Sequence, residues 1–156
     1  IAIYCTAARP ASSTFIAPDP PTDSSLVSRS EILTDVAPIA DATMTRWFTE
    51  GFRPAHENRW QQVHSMIANT KPEGYIGGAQ AIINFDVLDR LPEVRTGTLV
   101  VCGGDDPGTP AEGNRTIAAL IPGASYQEIS QARHIPMVEH PELFSRIMLE
   151  WLEGRR

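Results

Sequence analysis

Acidic and imidazole side chains occur in the last third of the chain at spacings that suit proton transfer. Asp105 and Asp106 close one apolar run, in the segment GGDDPGTP, and His134 follows the next strand-like run, in HIPMVEHP. If the two runs are neighbouring parallel strands, they lie about 4.8 Å apart, so loops that leave their same ends can meet. A carboxylate on one loop can then accept the Nδ1–H of the imidazole on the other. Such a pair is the orienting half of a nucleophile–histidine–acid triad.

Each of these side chains also has a simpler interpretation. His134 could be a core or surface histidine with satisfied hydrogen bonds, and Asp106 could cap the turn that follows it. Glu139 could join His134 and His140 in a metal site, but separations of five and six residues, interrupted by Pro136, match no standard ligand spacing. Glu139 is therefore expected to cap the following helix or to bond backbone near its start. No metal or organic cofactor is expected.

Strand-like and helical segments alternate along the chain, and their order predicts how the acid and the histidine are brought together. Continuous apolar runs, typical of strands buried on both faces, occupy residues 1–5 and 97–106, and a shorter strand is predicted over 125–130. Helical patterns cover residues 109–124 and 140–154. The order strand, helical insert, strand, helix, strand, helix predicts an α/β fold with a parallel sheet and crossover helices.

A helical insert separates the first two strands. Apolar residues recur at helical spacing from about 24 to 69, and a further helix is expected over 77–88. The predicted organisation therefore has three parts: a core strand and loop over 1–19, a helical cap over 20–88, and C-terminal strands and helices over 89–156 that carry the acid and the histidine.

The composition indicates a globular domain and argues against several classes of partner. The 156 residues are 42% apolar and 21% charged, close to globular averages, and no apolar run approaches the roughly 20 residues of a membrane span. A net charge of −6 without a basic stripe argues against nucleic-acid binding. Cys5 and Cys102 lie in strand-like runs and are predicted to be buried free thiols. No signal peptide is visible, so a cytoplasmic location is the default expectation.

The two motifs around the acid and the histidine resemble a known family. The segment that begins at Gly103 has the pattern G-x-x-D-x-x-x-P, and the segment that begins at His134 has the pattern H-x-x-x-x-E-x-P. Placed before a terminal helix, these motifs resemble the final third of α/β-hydrolase-fold enzymes, in which the chain order is nucleophile, acid, histidine. The resemblance implies that Asp106 is the catalytic acid and His134 the catalytic base.

Further segments are similar to 3-oxoadipate enol-lactonases, the members of this fold from the β-ketoadipate pathway. The resemblance covers most of the chain and is carried by TAARP, ADATMTRWFTEGFRP, EGYIGGAQAIINFD and TLVVCGGDDPGTP. The resemblance implies hydrolysis of a small-molecule lactone or ester without a cofactor. Arg133 departs from the family pattern, which often has a small residue before the histidine, and it could contact an anionic substrate. Trp47 is a second candidate for substrate contact, although its helical spacing is more typical of a core residue.

The nucleophile of such a triad is not among the 156 residues. No G-x-S-x-G segment occurs, and GASYQ, residues 123–127, lacks the closing glycine. In the family, the nucleophile precedes the strand that corresponds to residues 1–5. The resemblance therefore implies the C-terminal portion of a serine-type hydrolase, with the nucleophile on an N-terminal segment or a second chain. Two alternatives stay open: a carboxylesterase or other cap-bearing hydrolase, and a non-catalytic binding protein of the same fold.

Overall fold

The computed structural model describes residues 2–3, 35–83 and 86–154. Within these ranges the chain forms strands, α-helices and one 3₁₀ helix. In chain order they are β1 (Ala2–Ile3), α1 (Ala37–Trp47), α2 (Phe52–Ala55), α3 (Glu57–Ala68), α4 (Pro72–Ile83), the 3₁₀ helix (Leu88–Glu93), β2 (Leu99–Gly103), α5 (Ala111–Leu120), β3 (Ser125–Ile129), α6 (Pro136–Glu139) and α7 (Pro141–Glu153). Cys5 and the predicted loop and helical pattern over 4–34 lie outside the described residues.

The three described strands form one parallel sheet with β2 in the middle. Leu99 pairs with Ala2 on one side and with Ser125 on the other, and the second pairing continues to Gly103 opposite Ile129. Every residue of β2 is buried, as expected for a strand without polar alternation in a sheet covered on both faces. The predicted α/β fold with a parallel sheet is confirmed.

Side chains of β2 alternate between the two faces of the sheet, as strand geometry requires. Val100 packs with Ile117 and Ile121 at the α5 side. Leu99 and Val101 point to the other face, where apolar side chains of α7 cover them. Those side chains are Leu143, Phe144, Ile147, Met148 and Trp151.

Several predicted boundaries were wrong by a few residues. The strand predicted over 97–106 ends at Gly103, because the chain then turns towards the end of β3. The helix predicted over 109–124 is confined to α5, and the one predicted over 77–88 corresponds to α4, which begins at Pro72, followed by a separate 3₁₀ helix. The prediction for Cys102 is confirmed, since it is a buried free thiol.

Helices α1 to α4 are called here the helical segment, and α1 to α3 share a core of aromatic and apolar side chains. Met44, Phe48 and Trp60 are buried in it, and Ile135 and Val138 pack against it from the region of α6. The helical segment is thus attached to the chain immediately around His134. Its status as a separate cap stays a prediction. None of the helices described in the structure is both long and apolar enough to cross a membrane.

Candidate active site

Backbone hydrogen bonds hold the loops after β2 and β3 together. The Gly104 amide donates to the Ile129 carbonyl at 2.9 Å, and the Asp105 amide donates to the Ala132 carbonyl at 2.9 Å. The backbone of residues 132–133 passes so close to Gly103 that a Cβ there would overlap it. The two loops therefore meet at one edge of the sheet, as the parallel arrangement predicts.

Asp106 and His134 form a hydrogen-bonded pair at this edge. The distance between Asp106 Oδ2 and His134 Nδ1 is 2.9 Å, and their side chains are 4% and 15% exposed. The Gly108 amide donates to Asp106 Oδ1 at 2.8 Å, and the Thr109 hydroxyl donates to Oδ2. The carboxylate is thus held by hydrogen bonds on both oxygens.

These contacts set the charge of Asp106 and the tautomer of His134. Burial raises the pKa of Asp106, but hydrogen bonds from His134, Thr109 and Gly108 outweigh this effect, so its pKa lies below the usual value. An ionised carboxylate only accepts hydrogen bonds, so the proton on the imidazole is assigned to Nδ1. In the neutral ring, Nε2 is then the basic nitrogen.

The neighbouring Asp105 has a different environment. Its side chain is exposed, whereas Asp106 is buried against His134. The Asp105 contribution to the loop is its backbone amide, which bonds the Ala132 carbonyl. The structure therefore brings Asp106 and not Asp105 to the histidine, while the catalytic roles of Asp106 and His134 stay predictions.

Trp47, the last residue of α1, reaches the histidine from the helical segment. Its ring stacks on that of His134, with centroids 5.4 Å apart and an angle of 26° between the planes. The contact places an aromatic face beside a group that would become positive during proton transfer. A direct contact of Trp47 with substrate stays a prediction.

Arg133 extends away from the sheet to the end of α1. Its Nη1 donates to the Thr45 carbonyl and, at 3.1 Å, to the Phe48 carbonyl. Carbonyls at the end of a helix lack intrahelical donors and carry partial negative charge, which a guanidinium satisfies. A contact of Arg133 with a substrate carboxylate stays a prediction, but its structural role is to hold the helical segment.

Glu139 is buried, with 7% of its surface exposed, and connects the same two regions. Its Oε1 accepts from the Thr49 amide at 2.7 Å and from the Thr49 hydroxyl at 2.6 Å, and its Oε2 accepts from the Arg133 amide at 2.5 Å. Of the two expectations for Glu139, a cap of the following helix was wrong, because α7 has no side-chain cap. The carboxylate does bond backbone, at Thr49 and Arg133. Across the part of the chain the structure describes, no group of three His, Cys, Asp or Glu side chains could hold a metal ion.

Two contributors to the site were missed by the sequence interpretation. Thr109 follows Asp106 by three residues in a Pro/Gly-rich turn, and aspartates in such turns commonly accept from groups two or three residues ahead, so a local signal existed. Gly103 was noted for its place in the motif but not for the close backbone approach that it permits.

Curated relatives and solved structures resemble this chain over most of its length. The 3-oxoadipate enol-lactonase 1 of Acinetobacter baylyi is 29% identical over 112 residues, which is 72% of this chain and 42% of the relative. The enol-lactonase from Burkholderia xenovorans LB400 matches with a TM-score of 0.77 at 25% identity, over 83% of this chain and 49% of that one. A thermophilic esterase from Thermogutta terrifontis matches with a TM-score of 0.72 at 26% identity, over 85% of this chain and 51% of that one. No protein-family model matches the chain.

The chain spans about half the length of these proteins or somewhat less. Over that span, the parallel sheet and its covering helices agree with the solved enol-lactonase and esterase structures. The chain therefore has part of an α/β-hydrolase fold and resembles the 3-oxoadipate enol-lactonases.

Proposed function

We propose that this chain supplies the acid and the base of a serine-type α/β hydrolase that opens a small lactone, such as 3-oxoadipate enol-lactone in the breakdown of aromatic compounds. The observation that carries the proposal is the buried hydrogen bond between Asp106 and His134 at the ends of adjacent parallel strands. The names of the enol-lactonases that the chain resembles support the lactone as substrate.

In the first half-reaction, a serine hydroxyl attacks the lactone carbonyl while His134 Nε2 takes its proton. The resulting imidazolium is stabilised by Asp106, which also holds the ring in the tautomer that leaves Nε2 basic. The new Ser–carbon bond forms, the ring C–O bond breaks, and His134 gives its proton to the departing oxygen. This yields an acyl-enzyme that still contains the opened ring.

In the second half-reaction, water attacks the acyl group and His134 again takes a proton. The Ser–acyl bond breaks, the proton returns to the serine oxygen, and a free carboxylic acid leaves. No cofactor is required at either step. In this proposal the serine and the donors that stabilise the oxyanion come from an N-terminal segment or a second chain outside these residues.

The helical segment is proposed to act as the cap that shapes the pocket. Trp47 stacks on the base from that side, so substrate that approaches His134 would pass the end of α1. A cap in this position would keep bulk solvent away from the reacting carbonyl, apart from the attacking water, and this would strengthen the electrostatic interactions there.

A carboxylesterase is the second candidate, and the match to the Thermogutta terrifontis esterase favours it. The two reactions use the same triad and differ in whether the alcohol product stays attached to the acid. The pair of Asp106 and His134 therefore does not distinguish a lactonase from a carboxylesterase, and the substrate must be tested directly.

The experiment measures kcat/KM of the complete protein on a carboxylated enol-lactone, a neutral lactone and a neutral p-nitrophenyl ester. We expect the carboxylated lactone to be preferred and His134→Gln to lower its turnover by at least about 10⁴-fold. The matched control is His56→Gln, because His56 is exposed in the helical segment. Preference for the ester would establish the esterase instead. Turnover that survives His134→Gln would overturn both, and tight ligand binding without turnover would indicate a binding protein.

A further inference from the structure

Glu139 lies where the end of α1 meets the loop that carries His134. In the proposed mechanism it is not one of the reacting groups. One carboxylate oxygen binds Thr49, which follows the end of α1, and the other binds the amide of Arg133, the residue directly before His134. The Arg133 side chain spans the same gap as a donor, to the Thr45 and Phe48 carbonyls.

We propose that Glu139 is a positioning residue that sets the place of His134 relative to Trp47. It does so by tying the backbone before the histidine to the end of the helix that carries the tryptophan. The inference rests on the proposed function for its kinetic part, but its geometric part concerns the resting protein and is tested separately.

Burial of a carboxylate at this place carries a desolvation cost that a neutral side chain would avoid. Taking an ion out of water costs several kcal/mol unless hydrogen bonds replace its hydration, and Glu139 is almost fully buried. Three donors converge on it, one from Arg133 and two from Thr49. Such charge-assisted bonds are short and roughly twice as strong as neutral ones, so they hold both backbone segments more tightly than an amide would.

The geometry explains why the reaction would respond to a small shift. Trp47 and Thr49 are two residues apart on one segment, and Arg133 and His134 are adjacent on the other. A displacement of either segment therefore moves the indole relative to the imidazole. A misplacement of about 1 Å can cost about 10²-fold in rate.

Glu139→Gln is the informative substitution because it keeps the size of the side chain. Its amide has one acceptor oxygen and one donor nitrogen, whereas Thr49 and Arg133 present backbone donors to opposite sides of the carboxylate. The backbone N–H of either Thr49 or Arg133 must then face the NH₂ group of the glutamine. One hydrogen bond is therefore lost, while the packing of the side chain is kept. Thr49→Val removes only the hydroxyl bond and serves as a milder variant. The matched control is Glu150→Gln, an exposed glutamate in α7.

The experiment combines NMR of the imidazole with steady-state kinetics of the complete protein. The Nδ1–H signal of His134 is identified by its absence in His134→Gln. We expect Glu139→Gln to shift or broaden this signal and to lower kcat by about 10²-fold with KM changed less than about twofold. Thr49→Val is expected to do the same to a smaller degree, and Glu150→Gln to leave both readouts unchanged.

An unchanged His134 signal and an unchanged kcat per folded molecule in Glu139→Gln, with only the melting temperature lowered, would overturn the positioning role. The failure of the proposed function is recognised differently, by turnover that survives His134→Gln. In that case the NMR comparison still decides whether Glu139 positions the imidazole.

Discussion

Gly103 lies directly against the backbone of Arg133, so closely that a methyl group on Gly103 would overlap the Arg133 carbonyl oxygen. Gly103 ends β2, and Arg133 precedes His134. The absence of a side chain at one position therefore permits the approach that brings the histidine to Asp106. Because the obstructing atoms are backbone, they cannot move aside as a flexible side chain would.

Gly103→Ala is expected to displace the histidine loop. Overpacking of this kind costs about 1–3 kcal/mol of unfolding free energy, and the shift separates His134 from Asp106, so turnover falls by about 10²-fold or more. Urea unfolding and kcat measure the two effects. The control is Gly113→Ala in α5, where a new Cβ has no neighbour within 4 Å, and where alanine should stabilise the helix by up to about 1 kcal/mol. Full activity in Gly103→Ala would contradict the close approach.

Asp106→Asn is expected to lower kcat by about 10⁴-fold with little change in fold. Gly108 and Thr109 both donate to the carboxylate. An asparagine that keeps its oxygen on the Gly108 amide turns its NH₂ towards His134, and the imidazole must then accept at Nδ1 and carry its proton on Nε2. That tautomer cannot take a proton from a serine. Asp105→Asn, measured in the same assay, is expected to cost less than about tenfold, and the reverse ranking would reassign the acid.

Thr109→Val is expected to destabilise the protein more at neutral pH than in acid. Burial raises the pKa of Asp106 and hydrogen bonds lower it below its usual value, and the Thr109 hydroxyl is one of those donors. A lowered folded-state pKa stabilises the protein above the unfolded value of about 3.9, and this contribution is lost as the pH falls through the folded-state pKa. Loss of the donor should cost about 1.5–3 kcal/mol at pH 7, and the difference should shrink below about pH 4.

Urea unfolding of wild type and Thr109→Val at neutral and acid pH measures this difference. Thr116→Val is the control, because its hydroxyl bonds only a carbonyl one turn earlier in α5, that of Glu112, on the exposed surface. A stability difference for Thr109→Val that is the same at both pH values would show that the hydroxyl does not act through the charge of Asp106.

Trp47→Leu is expected to lower kcat, because it removes an aromatic ring that would stabilise the imidazolium of His134. The indole stacks on His134, and an aromatic face beside a forming imidazolium contributes about 0.5–1.5 kcal/mol. We therefore expect kcat on a neutral ester to fall about three- to tenfold with KM nearly unchanged, and Trp47→Phe to recover part of the loss. A raised KM at constant kcat would show instead that Trp47 acts through substrate contact.

Local sequence was sufficient to predict the elements that carry Asp106 and His134. The apolar run over 97–106 and the shorter one before His134 predicted adjacent parallel strands, and the loops that leave the same ends of parallel strands meet at one edge of the sheet. That logic needs only periodicity and order along the chain. It led to the pair of Asp106 and His134, with the choice between Asp105 and Asp106 supplied by resemblance and not by spacing.

Tertiary structure alone decided how the loop that carries His134 is held. The bond between Glu139 and Thr49 joins residues 90 positions apart, and the guanidinium of Arg133 reaches the Thr45 carbonyl across 88. The final helix shows the same limit, since Leu149 is 59% exposed although its apolar character suits a core. Periodicity reports which residues can share a face, but the partner of a buried polar group depends on how distant segments pack, and no local pattern contains that information.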